Sequence, residues 1–235
     1  MSTSPGVLTS VIIPAYNATA TLADTVASVR RQRAGQLEIV IVDDGSTDGT
    51  ATLVRELGED IRYIHQSNAG AAAARNTGLA GATGQLIAFL DADDEWPDDS
   101  LALRLAALAQ HPDWSLVQGR TLAIRADRGP MSPAASHGDP WVGPLLGSAL
   151  IRRPVFEQVG LFDSALQPAE DLDWFVRARE QQVVMGELDE VVLHYRLHGS
   201  SLTRGLDPVS KKLLLTLKRS LDRRRAAGSP SGGRP

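Results

Sequence analysis

Asp91-Ala92-Asp93-Asp94 follows the apolar run Gln85-Leu86-Ile87-Ala88-Phe89-Leu90. The run reads as a buried strand. Carboxylates gathered at the end of a buried strand repel one another and lose solvation, and a cation between them relieves both costs. Hard oxygen ligands of this kind suit Mg²⁺ or Mn²⁺, which are held by one or two carboxylates together with substrate phosphates. The cluster therefore reads as a metal-diphosphate site. The competing reading is an acidic turn before a helix that starts near Pro97. Asp-x-Asp is a common pattern, and alone it does not separate the two.

The elements that must position this cluster alternate in type. Val7 to Pro14 is β-branched and apolar and reads as a buried strand, and Leu37 to Val42 as a second. Ile61 to His65 and Leu86 to Leu90 read as a third and fourth. Between them, Thr19 to Arg33 carries Leu22, Val26 and Val29 at helical spacing, and Ala69 to Ala80 is an Ala-rich helix. Asp48 is placed to cap a helix running through Leu57. Strand-helix alternation with short loops implies a mostly parallel, Rossmann-like α/β sheet covered by helices on both faces. In such sheets ligands bind outside the carboxyl ends of the strands, where Tyr16, Asp43, Asp44 and Asp91 all fall.

Further along, Leu101 to Leu108 reads as a helix and Ser115 to Ile124 as a strand. Ala126 to Pro144 is rich in Pro and Gly and reads as a long loop over a site. Pro154 to Val159 and Glu170 to Gln181 are helices, and Val191 to Arg196 is a late strand. Pro208 to Arg225 sets Leu213, Leu217 and Leu221 on one helical face amid Lys and Arg, and these leucines are expected to pack on the domain. The division expected is a catalytic domain over 1–203, a basic helix over 204–225 and a disordered tail over 226–235.

Composition narrows the classes. The chain has 235 residues, 43% hydrophobic and 22% charged, ordinary for a globular protein. No apolar run reaches the ~18–20 residues that cross a bilayer. Met1 to Gly6 carries no secretory signal pattern, and with no cysteine the chain has neither disulfides nor thiolate metal sites. These features fit a cytoplasmic protein. Arg204 to Pro235 holds nine Lys/Arg against two Asp, a local +7 in a chain of net −4, so the rest carries −11. An acidic body with a basic end argues against a nucleic-acid partner. The basic end could touch anionic lipid, peripherally at the inner face of a membrane, or be a solvated terminus.

Two phosphate-binding fingerprints are absent. Gly78 to Gly84 has the wrong spacing for a dinucleotide site and precedes a strand, and no Walker A sequence occurs. Nor does Pro14-Ala15-Tyr16-Asn17 match the Gly-rich, basic loop of a nucleotidyltransferase.

Seven segments taken in order carry more information. They are Ser10-Val-Ile-Ile-Pro-Ala-Tyr-Asn17, Val42-Asp-Asp-Gly-Ser-Thr-Asp-Gly-Thr50, Ala74-Arg-Asn-Thr-Gly-Leu79 and Gln85 to Trp96. Downstream lie Val159-Gly-Leu-Phe-Asp163, Glu170-Asp-Leu-Asp-Trp174 and Tyr195-Arg-Leu-His-Gly-Ser-Ser-Leu-Thr203. In this order and spacing the chain, from Leu8 to Thr203, resembles family 2 glycosyltransferases of the GT-A fold. The resemblance implies a nucleotide-diphosphate sugar donor, here expected to be a UDP-sugar, a divalent Mn²⁺ or Mg²⁺, and inversion at the anomeric carbon.

The resemblance also implies roles. Asp91 and Asp93 hold the nucleotide and the metal, with Asp94 structural. Asp43 hydrogen-bonds the base, although Gly45 and Ser46 also suit an Asx turn there. Pro14 and Tyr16 close the first strand against the donor, and Tyr16 can stack on the base or pack in the core. Arg75 lies near the donor, or else forms a surface salt bridge. Asp171 takes the proton of the acceptor hydroxyl and Glu170 supports or reads the acceptor; a helix dipole would favour the same two acids. Trp174 packs or stacks on a sugar. Arg196 folds over the pyrophosphate, and His198 is a metal or phosphate ligand or a surface histidine. The acceptor expected is a glycan, a lipid-linked sugar or a peptide. A different class of reading is a non-catalytic nucleotide-sugar or glycan-binding module on the same fold.

Overall fold

The computed structural model describes residues 6–125, 139–167, 169–197, 215–223 and 225. Most of the predicted loop 126–144, His198 and the tail 226–235 lie outside them. The described chain forms β1 (Leu8–Ala15), α1 (Leu22–Arg30), β2 (Gln36–Asp44), α2 (Thr50–Leu57), β3 (Ile61–Gln66), α3 (Ala71–Gly81) and β4 (Leu86–Phe89). Then follow α4 (Ser100–Gln110), β5 (Leu116–Arg125), β6 (Ala149–Arg152), α5 (Pro154–Val159), α6 (Glu170–Glu180) and β7 (Met185–Leu197). A last helix, α7, spans 215–223.

The seven strands make one sheet in the order β3-β2-β1-β4-β6-β5-β7. β6 runs antiparallel to both its neighbours, β4 and β5, and the remaining pairs are parallel. Successive side chains of the central strands point to opposite faces, so each strand feeds two cores. Val11, Ile13, Ile39, Ile41 and Ala88 pack with Leu22 and Val26 of α1, Val54 of α2 and Leu101 of α4. Ile12, Val40, Val42, Ile87 and Phe89 pack with Ala72 of α3, Phe156 of α5 and Trp174 of α6. The sheet is therefore sandwiched, as the sequence pattern predicts.

α3 lies very close to the sheet. A Cβ on Gly78 would stand 2.3 Å from Ile12 Cγ2 and 3.1 Å from Val42 Cγ2, so only glycine lets the helix approach this near. The Ala-rich character of α3 serves the same closeness. Arg75, one turn before Gly78, is thereby carried to Asp91, just past the carboxyl end of β4.

Several predicted elements differ in detail. The N-cap of α2 is Gly49, while Asp48 Oδ1 accepts the Thr50 N–H at 2.9 Å. The described end of the predicted long loop is not structureless, because Trp141 pairs with Thr121 across two backbone hydrogen bonds of 2.7 and 3.0 Å. α7 does dock on the domain, but through its other face: Thr216 and Ser220 are buried while Leu217 and Leu221 are 49% and 52% exposed. No helix among the described residues is long and apolar enough to cross a membrane.

Candidate active site

Arg75 is the centre of the site. It is 4% exposed, and its guanidinium donates to Asp91 at 2.7 Å, Glu170 at 2.8 Å and Asp171 at 3.2 Å. α3 supplies the arginine, the end of β4 supplies Asp91, and the first turn of α6 supplies the acidic pair. Three acids so close would repel one another; the buried guanidinium lets them share one space. In turn the three carboxylates hold Arg75 firmly protonated. Two buried atoms of this cluster, Arg75 Nε and Glu170 Oε2, have no hydrogen-bond partner. Unpaired polar atoms beside a strand end are costly unless a ligand meets them.

Asp171 differs from its neighbours in its proton affinity. Burial pushes its pKa up, Arg75 pulls it back, and the charges of Asp91 and Glu170 raise it again, to about 7. Its Oδ2 lies 3.5 Å from the Leu146 N–H, at the limit of a hydrogen bond. A carboxylate tuned to neutrality can exchange a proton in either direction at physiological pH.

The Asp cluster is divided. The Asp91 side chain is 44% exposed at the end of β4, and Asp93 is partly exposed. Asp94 is 3% exposed, and its Oδ1 accepts the backbone N–H of Arg196 at 3.0 Å. Burial, with the charges of Asp93 and Asp91, pushes the Asp94 pKa well above the usual carboxylate value. Asp94 thus ties the far end of β7 to the cluster, the structural role expected of it. Among the described residues no three His, Asp or Glu side chains alone enclose a metal. Asp91 and Asp93, both solvent-accessible after β4, are carboxylates of the kind that a divalent ion takes together with diphosphate oxygens and water.

Other predicted residues line the same edge of the sheet with different partners. Tyr16 follows β1, is 52% exposed and so does not pack in the core. It is displayed by Asn17, whose left-handed φ of 50° is held by its Oδ1 accepting the Thr47 N–H and its N–H donating to Ser46 Oγ. Pro14 pairs in register with Val42, one residue before Asp43. Asp43 is fully buried; Oδ1 accepts the N–H of Ser46, three residues on and so one beyond an Asx turn, at 2.8 Å, and Oδ2 accepts the Tyr63 hydroxyl at 2.7 Å. Asp44 accepts from Gln66, Ala69 N–H and Gly70 N–H and fixes the start of α3. Arg196 reaches Glu95, and Asp24 at 3.3 Å, rather than the Arg75 cluster. Trp174 is fully buried and donates to the Gly160 carbonyl, so it packs and does not stack on a ligand. His198 lies outside the described residues.

Sequence reasoning passed over Glu95, Trp96 and Arg104. Glu95 exchanges two backbone hydrogen bonds with His194. Trp96 is fully buried, and its Nε1 donates to the Gly147 carbonyl at 2.9 Å. Arg104 stacks over the Trp96 ring at 4.2 Å and donates to the Ala149 carbonyl. Together they tie the segment after the Asp cluster to residues 146–149, which bring Leu146 to Asp171. A tryptophan directly after an acidic cluster was the available signal.

Residues 10–161 match the family model described as glycosyl transferase family 2. The chain is 32% identical over 218 residues to an uncharacterised glycosyltransferase of Nostoc sp., covering 82% of this chain and 65% of that protein. It is 30% identical over 217 residues to the uncharacterised glycosyltransferase EpsJ of Bacillus subtilis, covering 83% and 63%. The chain thus spans just under two thirds of the length of these relatives. Among solved structures, S. aureus TarS 1-349 in complex with UDP-GlcNAc superposes with a TM-score of 0.69 at 21% identity, covering 88% of this chain and 65% of that one. The mannosyltransferase PcManGT from Pyrobaculum calidifontis, in complex with GDP-Man and Mn²⁺, superposes with a TM-score of 0.73 at 24% identity, covering 99% and 67%. These likenesses identify the fold as GT-A. The chain belongs to glycosyl transferase family 2.

Proposed function

We propose that this chain transfers a sugar from a nucleoside-diphosphate donor, expected to be a UDP-sugar, to an acceptor hydroxyl with inversion at the anomeric carbon. The carrying observation is Arg75 joining Asp91 of the Asp-x-Asp to Asp171 of the acidic pair, with Asp171 poised near neutrality. Asp171 removes the proton of the acceptor hydroxyl as its oxygen bonds to the anomeric carbon. The bond from that carbon to the diphosphate oxygen breaks, and the nucleoside diphosphate leaves with the electron pair. Glu170 Oε2, buried and unpartnered, is available to accept from an acceptor or sugar hydroxyl. Arg75 holds both acids in place and lends positive charge beside the departing diphosphate.

Mn²⁺ or Mg²⁺ would be held by Asp93 and Asp91 and would neutralise charge growing on the leaving group. Tyr16, exposed at the end of β1, offers a face to the base, and Asp43 braces the turn beside it. The UDP-GlcNAc complex of TarS and the GDP-Man complex of PcManGT support a nucleotide-sugar donor. A panel of UDP-, GDP- and dTDP-sugars with Mn²⁺, read by nucleotide release and by thermal shift, tests the reading. Binding of one donor class is expected; failure of every nucleotide to bind overturns it.

A further inference from the structure

The face by which α7 docks leaves its leucines without a partner. Arg219 pairs with Asp163, Ser220 donates to Glu180, and Arg223 reaches Glu180 at 2.8 Å and Asp173 at 3.3 Å. These contacts occupy one side of the helix, and Thr216 on that side is fully buried. At 3.6 residues per turn the opposite side presents Leu217, Lys218, Leu221 and, at its margin, the exposed Asp222. Leu217 and Leu221 are about half exposed, Leu215 is 39% exposed, and Lys218 is exposed. Leu161, two residues before the Asp163 that Arg219 grips, is 55% exposed.

We propose that this outward face of α7 is a docking surface for an anionic lipid bilayer. Charge complementarity selects that occupant. The segment Arg204 to Pro235 carries +7 and the rest of the chain −11, so an anionic surface repels the body and attracts this end alone. The field therefore turns the molecule helix-first toward the membrane. Leucines beside lysine on a short amphipathic helix then enter the boundary between headgroups and acyl chains. The ion pairs from Arg223 to Asp173 and Glu180 fix α7 to α6, the helix that begins at Glu170-Asp171. Docking would therefore hold the acidic pair at a set position relative to the bilayer. The docking itself does not depend on the transferase reading.

Flotation of the full chain with vesicles of phosphatidylcholine, with and without phosphatidylglycerol, tests the surface. Binding is expected only with the anionic lipid, and it should weaken with salt. Leu217→Asp with Leu221→Asp should lower vesicle affinity by about tenfold or more, while nucleotide-induced thermal shift stays unchanged. Lys218→Glu, a milder surface change, should weaken binding without the leucine substitutions. No flotation with anionic vesicles, or equal flotation of both variants, overturns the proposal. Sedimentation showing a dimer that the leucine substitutions dissolve, without vesicle binding, assigns the face to a second copy instead.

Discussion

Arg75 donates to Asp171 at 3.2 Å, from the same guanidinium nitrogen that reaches Glu170 at 2.8 Å. The other terminal nitrogen reaches Asp91 at 2.7 Å. One buried cation therefore sets the distance between the leaving-group acid and the proposed base. Removing one partner of a buried charge network leaves the others uncompensated. Arg75→Ala should lower the free energy of unfolding by roughly 3 kcal/mol, measured by urea denaturation at neutral pH. Arg75→Lys should recover only part of it, because an ammonium cannot match the planar fork that meets three carboxylates. Equal stability of Arg75→Ala and the parent would mean that the cluster is not held together by this charge.

The raised pKa of Asp171 sets a pH dependence. The base must be ionised to take a proton, so kcat/KM should fall as pH drops below about 7 and level off above it. Glu170 is one of the charges that raise Asp171. Replacing it by a neutral residue removes that repulsion, so Glu170→Gln should move the acid limb to lower pH. Initial rates across the pH range, with donor held below KM, check both statements. A profile flat through neutrality, or a limb that moves upward in Glu170→Gln, contradicts them.

Gly78 tests how α3 presents Arg75. An added methyl meets Ile12 Cγ2 at 2.3 Å, in a core with no room to yield. Gly78→Ala should destabilise by roughly 1–3 kcal/mol, the cost of overpacking, and should reduce activity beyond its effect on stability by lifting α3 from the sheet. Thermal unfolding together with kcat at a temperature well below the transition separates the two effects. An unchanged kcat would show that Arg75 does not need this close approach.

What was legible in the sequence follows from range. The buried strands and the helices between them announce themselves locally, through β-branched runs and helical spacing, and β1 to β4 fall within a few residues of expectation. β6 went unread because Ala149–Arg152 is only four residues long and beside a Pro- and Gly-rich stretch. β7 begins at Met185 rather than Val191, since its first half pairs with β5 across a bulge and carries Glu187, Asp189 and Glu190, a polar pattern that hides a strand. The Asp cluster and the Glu170-Asp171 pair were visible as acids, but their meeting was not. It depends on Arg75, 95 and 96 residues away from the pair, and no local pattern encodes that distance. α7 departs from its leucine pattern for a related reason. Leucine spacing points to an apolar dock, whereas the partners offered by Asp163, Asp173 and Glu180 are ionic and select the opposite face.

Asp171→Asn is the substitution that bears most directly on the proposed chemistry. The amide keeps the size and the contact with Arg75 but cannot accept the proton. Binding of the donor by calorimetry and single-turnover transfer to an acceptor should be measured on the same preparation. Donor affinity should stay within a few-fold of the parent while the transfer rate falls by roughly 10²–10⁴-fold, the loss of a general base. A variant that transfers at the parental rate contradicts the assignment of Asp171 as the base.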